Sequence, residues 1–154
     1  MSMDIHEVRH VFVELIASEL LEAHKACEEL GRFAKSWSPR PRYPNIPKEA
    51  QITENVSLYV WVSDDKPILL CGFGNVGRAL HDIELTRSVA NDILLRVEYE
   101  PKEVARILKI ISDFKKWALW AKGEIENRIR RMFEEQREYV DQIMAEWYIR
   151  SLSK

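Results

Sequence analysis

From Pro101 to the last residue the chain carries apolar side chains at helical spacing, and no segment there reads as a strand. Val104, Leu108, Ile111, Phe114 and Ala118 recur at steps of three or four, which lines them on one helix face. Ile125, Ile129, Met132, Tyr139, Ile143 and Trp147 define a further stripe that runs nearly to the end. Pro101 suits the first turn of such a helix. Gly123 is compatible with the end of a first helix or with a weak point in a longer one. This pattern restricts the fold. A parallel sheet needs crossovers and cover on both faces, and helix after Tyr99 leaves no third parallel strand to build one.

The N-terminal part is also helical. Phe12, Ile16, Leu20, Ala23, Cys27, Leu30 and Ala34 share one face, so a long helix is predicted over 1–36. Asp4 is placed to cap it and Glu7 to complete a capping box, with Met3 and Val8 as the hydrophobic staple. Residues 37–50 form a basic, proline-rich connector: from Arg32 to Lys48 there are five bases and no acid. Its prolines remove backbone donors and favour extended conformations. A β-hairpin is predicted over 56–73, from the β-branched and aromatic run Val56–Val62, the turn-forming Ser63–Pro67 and the apolar run Ile68–Phe73. Helices are predicted over 78–154, and 93–99 reads either as a third strand or as part of a helix. The expected fold is mainly α: a helical bundle in one domain over 1–154, with a small antiparallel β-hairpin, or three strands, inserted.

Composition bounds the function. The 154 residues carry 23 bases and 25 acids, for a net charge of −2, with 46% hydrophobic and 31% charged residues. Such a chain is neither disordered nor fibrous. No apolar run approaches the roughly 20 residues that cross a bilayer, and the start lacks a signal-peptide layout. Two cysteines, Cys27 and Cys71, make no disulfide framework. A cytoplasmic protein without a membrane partner is expected.

Two strings carry chemical motifs. His6-Glu7-Val8-Arg9-His10 matches HExxH, in which histidines one turn apart hold zinc and the glutamate is a general base. A third ligand is missing: His24 lies 14 residues from His10, roughly 21 Å along a helix. A metal-dependent hydrolase is therefore the weaker enzyme reading, and no metal is expected. His24, Cys27, Cys71 and His81 are zinc-competent residue types without the spacing of a zinc module.

Gly72-Phe73-Gly74-Asn75-Val76-Gly77 matches GxGxxG, after an apolar run and before a segment from Arg78 that reads as helix. Gly72 to Leu80 resembles the phosphate loop of homoserine and glutamate dehydrogenases. That resemblance implies Gly72, Gly74 and Gly77 lining a pyrophosphate and Glu98 binding a ribose, hence an NAD-like nucleotide. The structural alternative is that the glycines end a strand and turn the chain, with no cofactor. There is no Ser-His-Asp set, no pair of catalytic carboxylates and no Walker loop, so no catalytic residue is assigned; whether the chain is an enzyme stays open, with a non-catalytic role the favoured reading.

Charge and aromatic residues point to assembly. Residues 1–31 hold seven acids against two bases, while Lys102 to Arg131 holds nine bases against four acids. Arg40, Arg42, Lys115, Lys116, Arg128, Arg130 and Arg131 are the candidate contacts to phosphates of DNA or RNA. Trp117, Trp120 and Trp147 lie on helices with broad apolar surfaces. The expected function is that of a small helical assembly subunit, a homo- or hetero-oligomer whose partners are protein subunits and nucleic acid.

Overall fold

Asp4 opens the first helix as its cap, its carboxylate accepting from the His6 backbone N–H at 3.2 Å. In the computed structural model, which describes residues 4–37 and 41–153, this helix is α1 (Ile5–Lys35). The Met3 half of the staple lies outside the described residues. A four-stranded antiparallel sheet follows: β1 (Ala50–Thr53), β2 (Val56–Ser63), β3 (Lys66–Phe73) and β4 (Val76–Ala79), in that spatial order. Two further helices follow among the described residues, α2 (Ile83–Arg96) and α3 (Pro101–Leu152).

The fold is thus mainly α with a strand insert, as expected, but it is not a pure bundle and the insert has four strands rather than two or three. The connector ends one residue early, because Ala50 pairs with Leu58 to begin β1. Arg78 and Ala79, expected in a helix, belong to β4 and pair with Cys71 and Leu70. Residues 93–96 end α2, and 97–100 form the turn to α3. Asp82 decides this: its carboxylate caps α2 by accepting from Leu85 N–H at 2.8 Å. From there Val89, Ile93 and Leu94 are buried at helical spacing. Glu98 and Tyr99 then take left-handed backbone with φ near +53° and +52°, and Tyr99 N–H returns to the Leu94 carbonyl at 3.0 Å. Gly123 interrupts nothing; α3 is one helix of 52 residues.

In the β2–β3 hairpin Asp64 and Asp65 both take φ above +50°, which two-residue turns between twisted strands require. Val56, Leu58, Leu69 and Cys71 point inward and are buried. They meet Leu20, Cys27 and Leu30 of α1, which packs against β3, α2 and α3. Contacts along α1 fix the helix directions. Arg9 stacks on Tyr99, Glu14 pairs with Arg87, Glu22 with Lys115, Lys122 lies over Phe33, and Trp37 meets Phe133. Contacts therefore advance along α1 and α3 together: the two run parallel, with α2 antiparallel to both.

The connector is pinned across this frame. Trp117 Nε1 donates to the Pro44 carbonyl at 2.8 Å, and the Tyr43 hydroxyl donates to the Asp65 carbonyl in the β2–β3 turn. Prolines leave carbonyls without a local partner, and here a buried indole takes one. Arg106 ties β1 to α3: its guanidinium donates to the Ile52 carbonyl and, at 2.8 Å, to Glu103.

Candidate assembly surface

α3 divides into two halves of different character. In the first, Val104, Ile107, Ile111, Phe114, Ala118, Ala121 and Ile125 are buried. After Ile129, which is half-buried, every described residue is exposed. α1 ends at Lys35, and Trp37 packs on Phe133 with ring centroids 6.0 Å apart. Residues 134–152 therefore project past the end of α1 by roughly 28 Å at the usual helical rise.

The projecting segment is not polar. Ile129, Phe133, Gln136, Val140, Ile143 and Trp147 follow one another at alternating steps of four and three, the spacing of a seam that packs against another helix. Met132, Tyr139 and Met144 flank it. Phe133 is 57% exposed, Ile143 46% and Trp147 66%. Among the described residues no element of the chain lies over this stripe, and a contiguous exposed apolar stripe marks a surface that packs against something. Among the described residues no helix is long and apolar enough to cross a membrane.

At the junction a groove of about 360 Å³ lies between Trp37, Ile129 and Phe133, rimmed by Glu126, Arg130 and Arg137. The Trp37 indole N–H is buried and has no acceptor among the described residues.

The basic residues singled out above are scattered. Arg40 lies outside the described residues. Arg42 is exposed in the connector. Lys115 is engaged, its Nζ 2.6 Å from Glu22 Oε2 on α1. Hydrogen bonding to Lys115 and its charge hold the Glu22 carboxyl below its usual value, while the bond to Glu22 holds Lys115 above its own. Lys116 is exposed about 18 Å along the axis from Arg128. Arg128, Arg130 and Arg131 are exposed but fan around α3, because successive residues turn by about 100°. Arg130 lies 3.7 Å from Glu126.

His6, Glu7 and His10 are exposed on the first turns of α1. His24 is buried with Nε2 2.6 Å from Glu28, and His81 is exposed with Nδ1 on the Ala79 carbonyl. Cys27 and Cys71 are buried in the core, where desolvation pushes both thiols up to about 12. No group of three or more metal-ligating side chains forms among the described residues.

The glycine motif spans a hairpin rather than a strand-to-helix loop. Gly72 is in β3, Gly77 pairs with it from β4, and Gly74 makes the turn with φ +61°. The outer glycines serve Tyr59: a Cβ on Gly72 would lie 3.0 Å from its ring, and one on Gly77 would meet its hydroxyl. Glu98, expected at a ribose, sits in the α2–α3 turn.

Sequence reading treats the stripe before and after Ile125 alike, since periodicity reports an apolar face and not what covers it. Two signals mark the change: α1 has no residues left to offer beyond Ser36, and from Ile129 the steps settle into regular alternation. Compared with models of protein families, with curated proteins and with solved structures, the chain matches none.

Proposed function

We propose that this chain is an assembly subunit, non-catalytic, whose projecting half of α3 is covered by a further protein subunit, either the same chain or another. The observation that carries this is the apolar stripe from Ile129 to Trp147, exposed on a helix that outruns its own fold. Most helical stability in proteins comes from packing of an apolar face rather than from propensity, so a segment reaching roughly 28 Å into solvent gains from what packs on it. Light scattering on the full chain between about 1 and 100 µM tests the reading. It expects a mass above that of one chain, reduced by Ile143→Glu. A single-chain mass throughout, with α3 fully helical, overturns self-assembly.

A narrower reading adds phosphate contact through Arg42, Lys116, Arg128, Arg130 and Arg131, all exposed. Lys115 joins only by giving up Glu22. Labelled single- and double-stranded nucleic acid at two salt concentrations tests it, since neutralising phosphates releases counterions and makes affinity fall steeply with salt. Binding that ignores salt, or none, removes this part and leaves the assembly role intact.

A further inference from the structure

Resting on that assembly reading, the question is what covers the stripe, and charge and shape answer it together. α1 runs parallel to α3 and covers this face as far as Trp37; beyond it the same face continues uncovered. Charge is divided along the projecting helix. Residues 126–131 hold three bases and one acid, whereas 134–146 hold five acids and one base.

We infer that the occupant is a second copy of this chain, its α3 antiparallel to the first about a twofold axis at the level of Glu138. In that register the seam forms matched layers: Ile129 opposite Trp147, Phe133 opposite Ile143, Gln136 opposite Val140, and the same again by symmetry. Arg128 then lies beside Glu146 of the other copy and Arg137 beside its Asp141. Parallel pairing would instead set Arg128 next to Arg130 of the second helix, like on like. Trp147 of each copy arrives at the Trp37–Ile129–Phe133 groove of the other, where α1 stops. Phe133, Val140, Ile143 and Trp147 of the seam are each about half exposed or more, and a second helix would cover them.

The test is cysteine pairing in the full chain, whose own thiols are buried. Phe133→Cys and Ile143→Cys are prepared as separate proteins and mixed under mild oxidation. The inferred register gives a mixed disulfide between the two variants and little disulfide in either alone. A disulfide between two Phe133→Cys chains shows parallel pairing; it overturns this inference and leaves the assembly reading standing. A single-chain mass with no disulfide overturns this inference and leaves only assembly with a different protein, and an oligomer indifferent to both cysteines overturns the inferred seam alone.

Charge reversal supplies a second readout that misfolding does not mimic. Arg128→Glu with Arg137→Glu weakens self-association roughly tenfold, as does Asp141→Lys with Glu146→Lys. Mixing the two variants restores it. Failure to restore, with both variants helical, overturns the antiparallel register.

Discussion

Lys115 Nζ lies 2.6 Å from Glu22 Oε2 and ties the first third of α3 to the middle of α1. The pair consumes a cation that the sequence offers to phosphates, and it sets a pH window. Glu22 titrates below its usual 4.5, chiefly through the hydrogen bond from Lys115, so its contribution is present above 4.5 and is lost as pH falls through the lowered value. Lys115 titrates above its usual 10.5, chiefly through the bond to Glu22, so its contribution is present below 10.5 and is lost as pH rises through the raised value. The melting temperature of the native chain should exceed that of Glu22→Gln between those limits. The two curves should converge in acid below 4.5. Parallel curves across that range would show that the pair contributes nothing.

Gly77 and Tyr59 make a second testable relationship. A methyl group at Gly77 lands on the Tyr59 hydroxyl, with Leu70 next at 3.5 Å. Gly77→Ala should cost about 1 kcal/mol by overpacking. Tyr59→Phe removes the obstructing oxygen, so the double variant should recover most of that loss. A cycle by chemical denaturation measures the coupling, and strictly additive losses would mean the glycine answers to something other than Tyr59.

Gly123 predicts the opposite sign. A Cβ there meets nothing within 4 Å, and the residue sits inside α3 with ordinary helical backbone. Gly123→Ala should stabilise by about 0.5–1 kcal/mol, because glycine loses more backbone freedom on folding than alanine. At this chain length that is a rise of roughly 2–4 °C in melting temperature. A fall would show that α3 bends at Gly123 in solution.

These two glycines also show why parts of the fold were legible and parts were not. α1 and the helical character of 101–152 follow from long apolar periodicities, and the β2–β3 hairpin from two β-prone runs around turn-forming residues; the structure bears all three out. β1 and β4 have four residues each, too few for alternation to register. β4 was further hidden because Gly74 and Gly77 fit a phosphate-loop pattern equally well; only their partner Tyr59, distant in sequence, distinguishes a hairpin from a nucleotide loop. Ile93 to Arg96 has strand-like composition but helical conformation, because the Asp82 cap and the packing of Ile93 and Leu94 outweigh β propensity. At the candidate surface the apolar stripe was visible; its exposure was not, since that depends on where α1 ends relative to α3.

Cys27 and Cys71 report on opening of the core. Desolvation pushes both thiols up to about 12, from a usual 9.0, so neither is a thiolate near neutrality and neither is reachable. At pH 8 a thiol reagent should label neither cysteine in the native chain and both in denaturant. Above 9 the unfolded chain releases protons that the native chain retains, so stability should decline between 9 and about 12. Prompt labelling of one cysteine in the native chain would show that its element opens locally rather than with the whole core.

The projecting half of α3 makes the last prediction. Residues 104–125 are held by α1 and should keep their amide protection at any concentration. Residues 134–152 have no cover from their own chain among the described residues. Helical stability in proteins comes mostly from packing of an apolar face, so the assembly reading expects the protection of 134–152 to come from a partner. Hydrogen exchange read segment by segment should therefore show 134–152 exchanging faster on dilution while 104–125 stays constant, and Ile143→Glu should mimic dilution at high concentration. Equal protection of both segments at the lowest concentration would mean that the helix stands unaided, and the apolar stripe would then need a reason other than assembly.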